Sequence, residues 1–188
     1  EDWLYEAITE TYIPLLEMFE NLTRDNIPWN LTLTMSGTLV NMLNDDLLRN
    51  RYVKHITKLV EFCEKEVERL KPYPDMIKVA NHNLHVHKTA KDIFVNKYHK
   101  DLVGAFRGFQ DQGNLEIIPV TATHGFLPVM KDYPEAVNAQ VYMAKKDYIK
   151  NFGRDPKGIW LAECAYYPGQ DKYLEKHGFR YFLVDAHG

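Results

Sequence analysis

Three short apolar runs in this chain each stop at a group with chemistry on it. Val120-Thr-Ala-Thr leads to His124, Gly158-Ile-Trp-Leu-Ala leads to Glu163, and Phe179-Arg-Tyr-Phe-Leu-Val leads to Asp185, with His187 two residues further on. Between them lie helical patterns at residues 133–151 and 170–177. Strand, helix and strand joined by short links predict right-handed parallel β/α units. In such folds ligands bind beyond the carboxyl ends of the strands, whether the sheet is open or closed into a barrel. A fourth run, residues 29–35, alternates apolar and polar positions with the period of a strand and ends at Ser36. The polar strand ends are therefore expected to gather on one face.

The remaining sequence is mostly helical. Leu4, Ile8, Tyr12, Leu15 and Phe19 fall near helical spacing, with Asp2 as a cap and Pro14 predicted to kink or divide the helix. Residues 39–70 read as one helical pattern, striped by Val53, Ile56, Val60, Cys63 and Val67. Residues 75–112 look helical without clear periodicity and stop at Gly113-Asn114, while Gly178 is expected to close residues 170–177 as a left-handed cap. The chain supplies about four strands. A four-strand portion of a parallel barrel leaves unpaired edges, a route to self-association.

Composition narrows the function classes. At 188 residues, 45% hydrophobic, the chain suits one domain of ordinary size with a true core. A net charge of −3 gives no reason to expect nucleic acid or an anionic membrane as partner. No apolar run approaches a membrane span and no secretory leader opens the chain, so the expectation is a cytoplasmic protein. Cys63 and Cys164 form no metal or redox pattern, which fits a reducing compartment.

Glu163 is the residue with most to explain. A carboxylate ending an apolar strand costs several kcal/mol (roughly) to desolvate unless it is paired or used. It can serve as nucleophile, general acid/base, metal ligand or structural carboxylate. Trp160, Tyr166 and Tyr167 flank it with flat amphipathic surfaces of the kind that hold sugars. Asp185 is the strand-end acid that could partner it on spacing grounds; its plainer role is capping the next turn. His124 can orient a hydroxyl, tune Glu163 or bind metal, and alone would more often be a satisfied, partly buried residue. A Cys164 thiolate with His124 as base lacks any cation or helix terminus to activate it. His82, His85 and His87 share no single face with a carboxylate in register and read as a solvated helix surface rather than a metal site. No cofactor motif is present: there is no phosphate-cradling glycine loop and no Gly-x-Ser-x-Gly elbow.

These motifs resemble glycoside hydrolase family 57. Ala122-Thr-His-Gly-Phe-Leu-Pro128 is similar to one of its conserved regions and Trp160-Leu-Ala-Glu-Cys-Ala-Tyr166 to the next, with Leu33-Thr-Met-Ser36 similar to its second strand. The resemblance covers nearly the whole chain. It implies an incomplete (β/α)7 barrel carrying helical additions, of which residues 1–188 would be a partial catalytic domain. It implies α-glucan as substrate, retention of anomeric configuration, no metal and no cofactor. Glu163 would be the catalytic nucleophile and His124 would line the donor-sugar subsite, with Trp160, Cys164, Tyr166 and Asp185 around the substrate. Branching of 1,4-α-glucan is the expected reaction, with glucanotransfer or amylase hydrolysis as alternatives within the family. Ala162 stands where the family usually has proline, and the family's first strand would precede Glu1. Its acid/base aspartate would lie beyond Gly188, so the resemblance argues against Asp185 in that role and implies that this chain alone lacks turnover. Outside the family, the alternatives are a metal-dependent polysaccharide deacetylase-like barrel and a non-catalytic glucan-binding module.

Overall fold

The computed structural model describes residues 1–185, so His187 lies outside the described residues. The chain forms two compact units, one of Glu1–Pro28 with Leu43–Ala105, the other of Trp29–Met42 with Phe106–Gly188.

The first unit is helical. Asp2–Ala7 (α1) runs through a π-helical turn, Ile8–Tyr12, into Ile13–Arg24 (α2). The predicted break at Pro14 takes this milder form. Proline lacks an N–H, and its ring collides with the carbonyl four residues back. The widened turn before it absorbs that conflict and leaves Pro14 in the first turn of α2, where a missing donor costs nothing. The pattern read as one helix over residues 39–70 is two: Gly37–Asn44 (α3) and Asp46–Leu70 (α4). Asp45 divides them as an N-cap, its carboxylate accepting the Leu48 N–H at 2.8 Å. Periodicity is blind to such a break because the apolar stripe resumes on the far side. Pro74–Asp92 (α5) returns antiparallel to α4 and carries His82, His85 and His87. The buried aromatic centre is Tyr52, its ring 4.7 Å edge-on from Phe94 and its hydroxyl 2.9 Å from Thr9 Oγ1 in the π turn.

The second unit holds the strands: Leu31–Thr34 (β1), Leu115–Ile118 (β2), Gly158–Trp160 (β3) and Tyr181–Leu183 (β4). All pairing is parallel, with Leu31 opposite Leu115 and Gly158 opposite Tyr181. A bridge between Val120 and Trp160, with the Trp160 N–H donating to Pro119 O at 2.9 Å, joins β2 to β3. The spatial order is thus β1-β2-β3-β4, the sequential parallel order of a β/α barrel wall. Leu102–Gln112 (α6) precedes β2, Pro134–Phe152 (α7) crosses from β2 to β3, and Asp171–Lys176 (α8) from β3 to β4. Gly178 closes α8 at φ 82°, the left-handed cap the sequence predicts. The apolar cluster of this unit joins Val137 and Val141 of α7 to Ile159 and Leu161 at β3, with Leu127, Leu174 and Phe179.

A polar cavity of about 320 Å³ opens at the amino ends of the strands, lined by Thr32, Gln110, Glu116, Tyr148 and Lys157 among others. The amino end of a parallel barrel is the face associated with stability, not chemistry. No helix among the described residues is long and apolar enough to cross a membrane.

Candidate active site

The site is assembled by two loops that leave neighbouring strands. β3 stops at Trp160, earlier than the sequence implies, and Glu163 sits on the tight turn Ala162–Cys164 rather than on the strand itself. Leu161 and Ala162 are buried and anchor this turn. The Cys164 N–H donates to Leu161 O at 2.8 Å and the Ala165 N–H to Ala162 O at 3.2 Å. To make the turn, Glu163 and Cys164 both take left-handed backbone, at φ 55° and 57°. Two consecutive non-glycine residues in that region cost on the order of 1–3 kcal/mol each, and such strain collects at functional sites. Strand alternation therefore does not govern Cys164, which is half-buried beside the glutamate as a free thiol. The loop beyond is tied by Gln170, fully buried, whose side chain accepts the Tyr167 N–H at 3.3 Å and donates to Ala165 O at 3.4 Å.

The run from Val120 that predicts a strand ending at His124 is not one: β2 ends at Ile118, Val120 makes a single bridge, and His124 stands on the loop that follows, also left-handed, at φ 56°. Its N–H donates to Thr121 O at 2.9 Å, and the buried Thr121 hydroxyl donates to Gly125 O at 3.1 Å. The loop is further tied to α7: Thr123 N–H donates to Gln140 Oε1 at 3.0 Å, and Gln140 Nε2 donates to Thr123 Oγ1 at 2.8 Å. From this scaffold the His124 Nε2 lies 3.0 Å from Glu163 Oε1. With the proton on Nε2 the imidazole donates to the carboxylate and fixes its orientation. The Glu163 side chain is 71% exposed and that of His124 51%, so neither has a core to support and both face the space beyond the strand ends.

The other predicted residues lie on the same strands and on the loops that follow them. Trp160, half-buried, is the β3 residue that bridges to Val120 and so fixes the two loops' strands to each other. Tyr166 stacks on Phe182 of β4, ring centroids 5.5 Å apart and planes 13° from parallel. Its hydroxyl donates to Asp171 Oδ1 at 3.0 Å, and that bond raises the Tyr166 pKa above the ordinary phenol value. The two rings form an aromatic step between the loop after the Glu163 turn and β4. Asp185 is exposed two residues beyond the Trp160–Leu183 pair of β3 and β4, which puts it at the same end of the sheet as Glu163. Ser36, the fourth polar strand end, is a helix cap: its Oγ accepts the Leu39 N–H of α3 at 3.2 Å. Among the described residues no three His, Cys, Asp or Glu side chains are grouped to hold a metal ion.

Sequence reasoning missed Gln140, Gln170, Asp171 and Phe182. Phe182 carried a weak signal, as an aromatic on the strand after the Tyr166 loop. The glutamines carried none, because a polar residue on a helix reads as solvent-facing.

Fold and site together define a class: a parallel β/α barrel wall that presents a histidine-held carboxylate at its carboxyl end, as enzymes of barrel type do. The model of glycosyl hydrolase family 57 matches residues 1–188, and the chain belongs to that family. A 1,4-alpha-glucan branching enzyme of Thermococcus kodakarensis is 33% identical over 201 aligned positions, covering 99% of this chain and 29% of the relative. Among solved structures, an alpha-amylase of Thermotoga maritima is 42% identical at a TM-score of 0.94, covering 99% of this chain and 35% of its own. A family 57 branching enzyme of Pyrococcus horikoshii is 32% identical at a TM-score of 0.94, covering 99% and 38%. The chain thus spans 29% to 38% of the length of these relatives. These likenesses bear out the expectation of a part of the family's barrel carrying helical additions.

Proposed function

We propose that the protein carrying this chain transfers segments of 1,4-α-glucan by double displacement, with Glu163 as nucleophile. One Glu163 oxygen attacks the anomeric carbon, the glycosidic oxygen leaves with a proton from a general acid, and a glycosyl ester forms. A hydroxyl of an acceptor glucan then attacks the same carbon, gives up its proton to the conjugate base, and releases the carboxylate. The observation that carries this reading is the 3.0 Å contact of His124 Nε2 with Glu163 Oε1 on two left-handed turns at adjacent strand ends. With one carboxylate oxygen held by the imidazole, the other is free to face the sugar. The step of Tyr166 on Phe182 offers a flat surface for a pyranose, and Trp160 and Cys164 flank the turn. In this reading the second carboxyl group, about 5–5.5 Å from the nucleophile in retaining enzymes, comes from outside these residues and Asp185 lines the substrate.

A second reading has a specific observation behind it. The likeness to an alpha-amylase at 42% identity favours water as the acceptor, with the same nucleophile. The test is to incubate the intact protein with amylose and measure chain lengths before and after enzymatic debranching. Short chains that appear only after debranching support transfer to a branch point; short chains beforehand support hydrolysis. Glu163→Gln should reduce either activity at least about a thousandfold, as expected for loss of a nucleophile. Full activity in that variant would put the chemistry elsewhere in the intact protein and leave this domain a glucan-binding module.

A further inference from the structure

We infer that Gln140 is a positioning residue for the reaction, acting through the His124 loop; the inference rests on the glycosyl-transfer reading. Gln140 lies on α7 between Val137 and Val141, both wholly buried in the cluster that also holds Ile159 and Leu161 below the Glu163 turn. The backbones that carry His124 and Glu163 are thus referred to one rigid packing unit, Glu163 directly through Leu161 and His124 through Gln140. The reference is specific in its chemistry. Gln140 Oε1 takes the Thr123 N–H at 3.0 Å and its Nε2 gives a bond to Thr123 Oγ1 at 2.8 Å, so one amide fixes both the backbone and the side chain of the residue before His124. An amide offers an acceptor and a donor side by side at that reach. Contact on the other side is equally close: a Cβ added at Gly125 would lie 2.9 Å from Gln140 Cδ and 3.1 Å from Met130 Cε. The loop is clamped between the Gln140 amide and the Thr121–Gly125 bond, with His124 at its left-handed apex.

A non-glycine residue held at positive φ relaxes toward the common backbone regions when its supports are removed. Loss of the Gln140 clamp should therefore let His124 swing from Glu163, and displacements near 1 Å can cost about a hundredfold in rate. The experiment uses the intact protein and amylose. Gln140→Met, of similar length without the amide, should lower kcat about tenfold to a hundredfold while KM changes less than about threefold. Thr123→Val, which removes the side-chain partner from the other end, should lower kcat in the same sense. Gln140→Glu keeps the acceptor for the Thr123 N–H, and the Thr123 hydroxyl can turn to donate, so it should recover a large part of the loss. In a His124→Ala background, Gln140→Met should produce no further loss, because the residue it positions is gone.

Glu163→Gln run in parallel separates the two claims. If Glu163→Gln is inactive but Gln140→Met and Thr123→Val are as fast as the unsubstituted protein, the positioning role is overturned while glycosyl transfer stands. Equal losses from Gln140→Met with and without His124 would also overturn it, pointing to general destabilisation. An active Glu163→Gln overturns the reading and the inference with it.

Discussion

Glu163 and Cys164 are held in a conformation that their side chains disfavour, and that strain gives the site its shape. Leu161 and Ala162 bury the turn on one side, while Gln170 ties the chain on the other. The backbone strain at Cys164 makes a direct prediction. Glycine reaches φ 57° without penalty, whereas a β-branched residue there is a true outlier. Cys164→Gly should therefore unfold at a temperature equal to or above that of the parent chain, and Cys164→Val should lose about 1–2 kcal/mol by urea titration. The reverse order would mean that the turn is not left-handed in solution. At this scale the sequence named candidate residues and said little of how they are held. Glu163 and His124 were singled out because an apolar run that leads to an ionisable group demands a reason, although each stands on a loop beyond its strand. Gln140 and Gln170 were not, since a glutamine's task depends on what folds against it.

The elements were legible where periodicity and turn chemistry agreed, as in α7, α8 with its Gly178 cap, and the four strands. They were less so where a single hydrogen bond decides. Asp45 divides α3 from α4 by taking the Leu48 N–H, and the π turn before Pro14 keeps α1 and α2 in line. That π turn also places Thr9 against Tyr52, which has an alkaline consequence. Burial pushes the Tyr52 hydroxyl up to about 12 from an ordinary value of 10.0, with the bond to Thr9 opposing the shift. The neutral phenol is thus favoured by folding. Its contribution to stability is whole below pH 10 and is lost as pH rises toward 12, a change of order 2–3 kcal/mol. Denaturant midpoints measured across that window should fall steeply, and Tyr52→Phe should flatten the part of the slope due to this group. An unchanged slope in Tyr52→Phe would show that Tyr52 does not ionise on unfolding in that range.

At the scale of the whole chain there are two units, one helical and one of parallel β/α type, and the second displays the site. Among the described residues β1 pairs only with β2 and β4 only with β3, which leaves the outer side of each without a strand partner. Edges of this kind promote association between copies. The 188-residue chain should show concentration-dependent self-association by sedimentation, and a strict monomer up to high concentration would contradict that. The barrel class could be read from the strand-end pattern and the family from its motifs; for the second carboxyl group spacing offered Asp185, and the family resemblance argues against it in that role. The claim on which the account turns is that Glu163 bonds covalently to sugar. The most direct measurement is to treat the intact protein with a deactivated fluoro-sugar glucosyl donor, digest it and locate the adduct by mass spectrometry. One glycosyl group is expected, on the peptide containing Glu163 and absent from Glu163→Gln; an adduct on another carboxylate, with Glu163 unmodified, would overturn the nucleophile assignment.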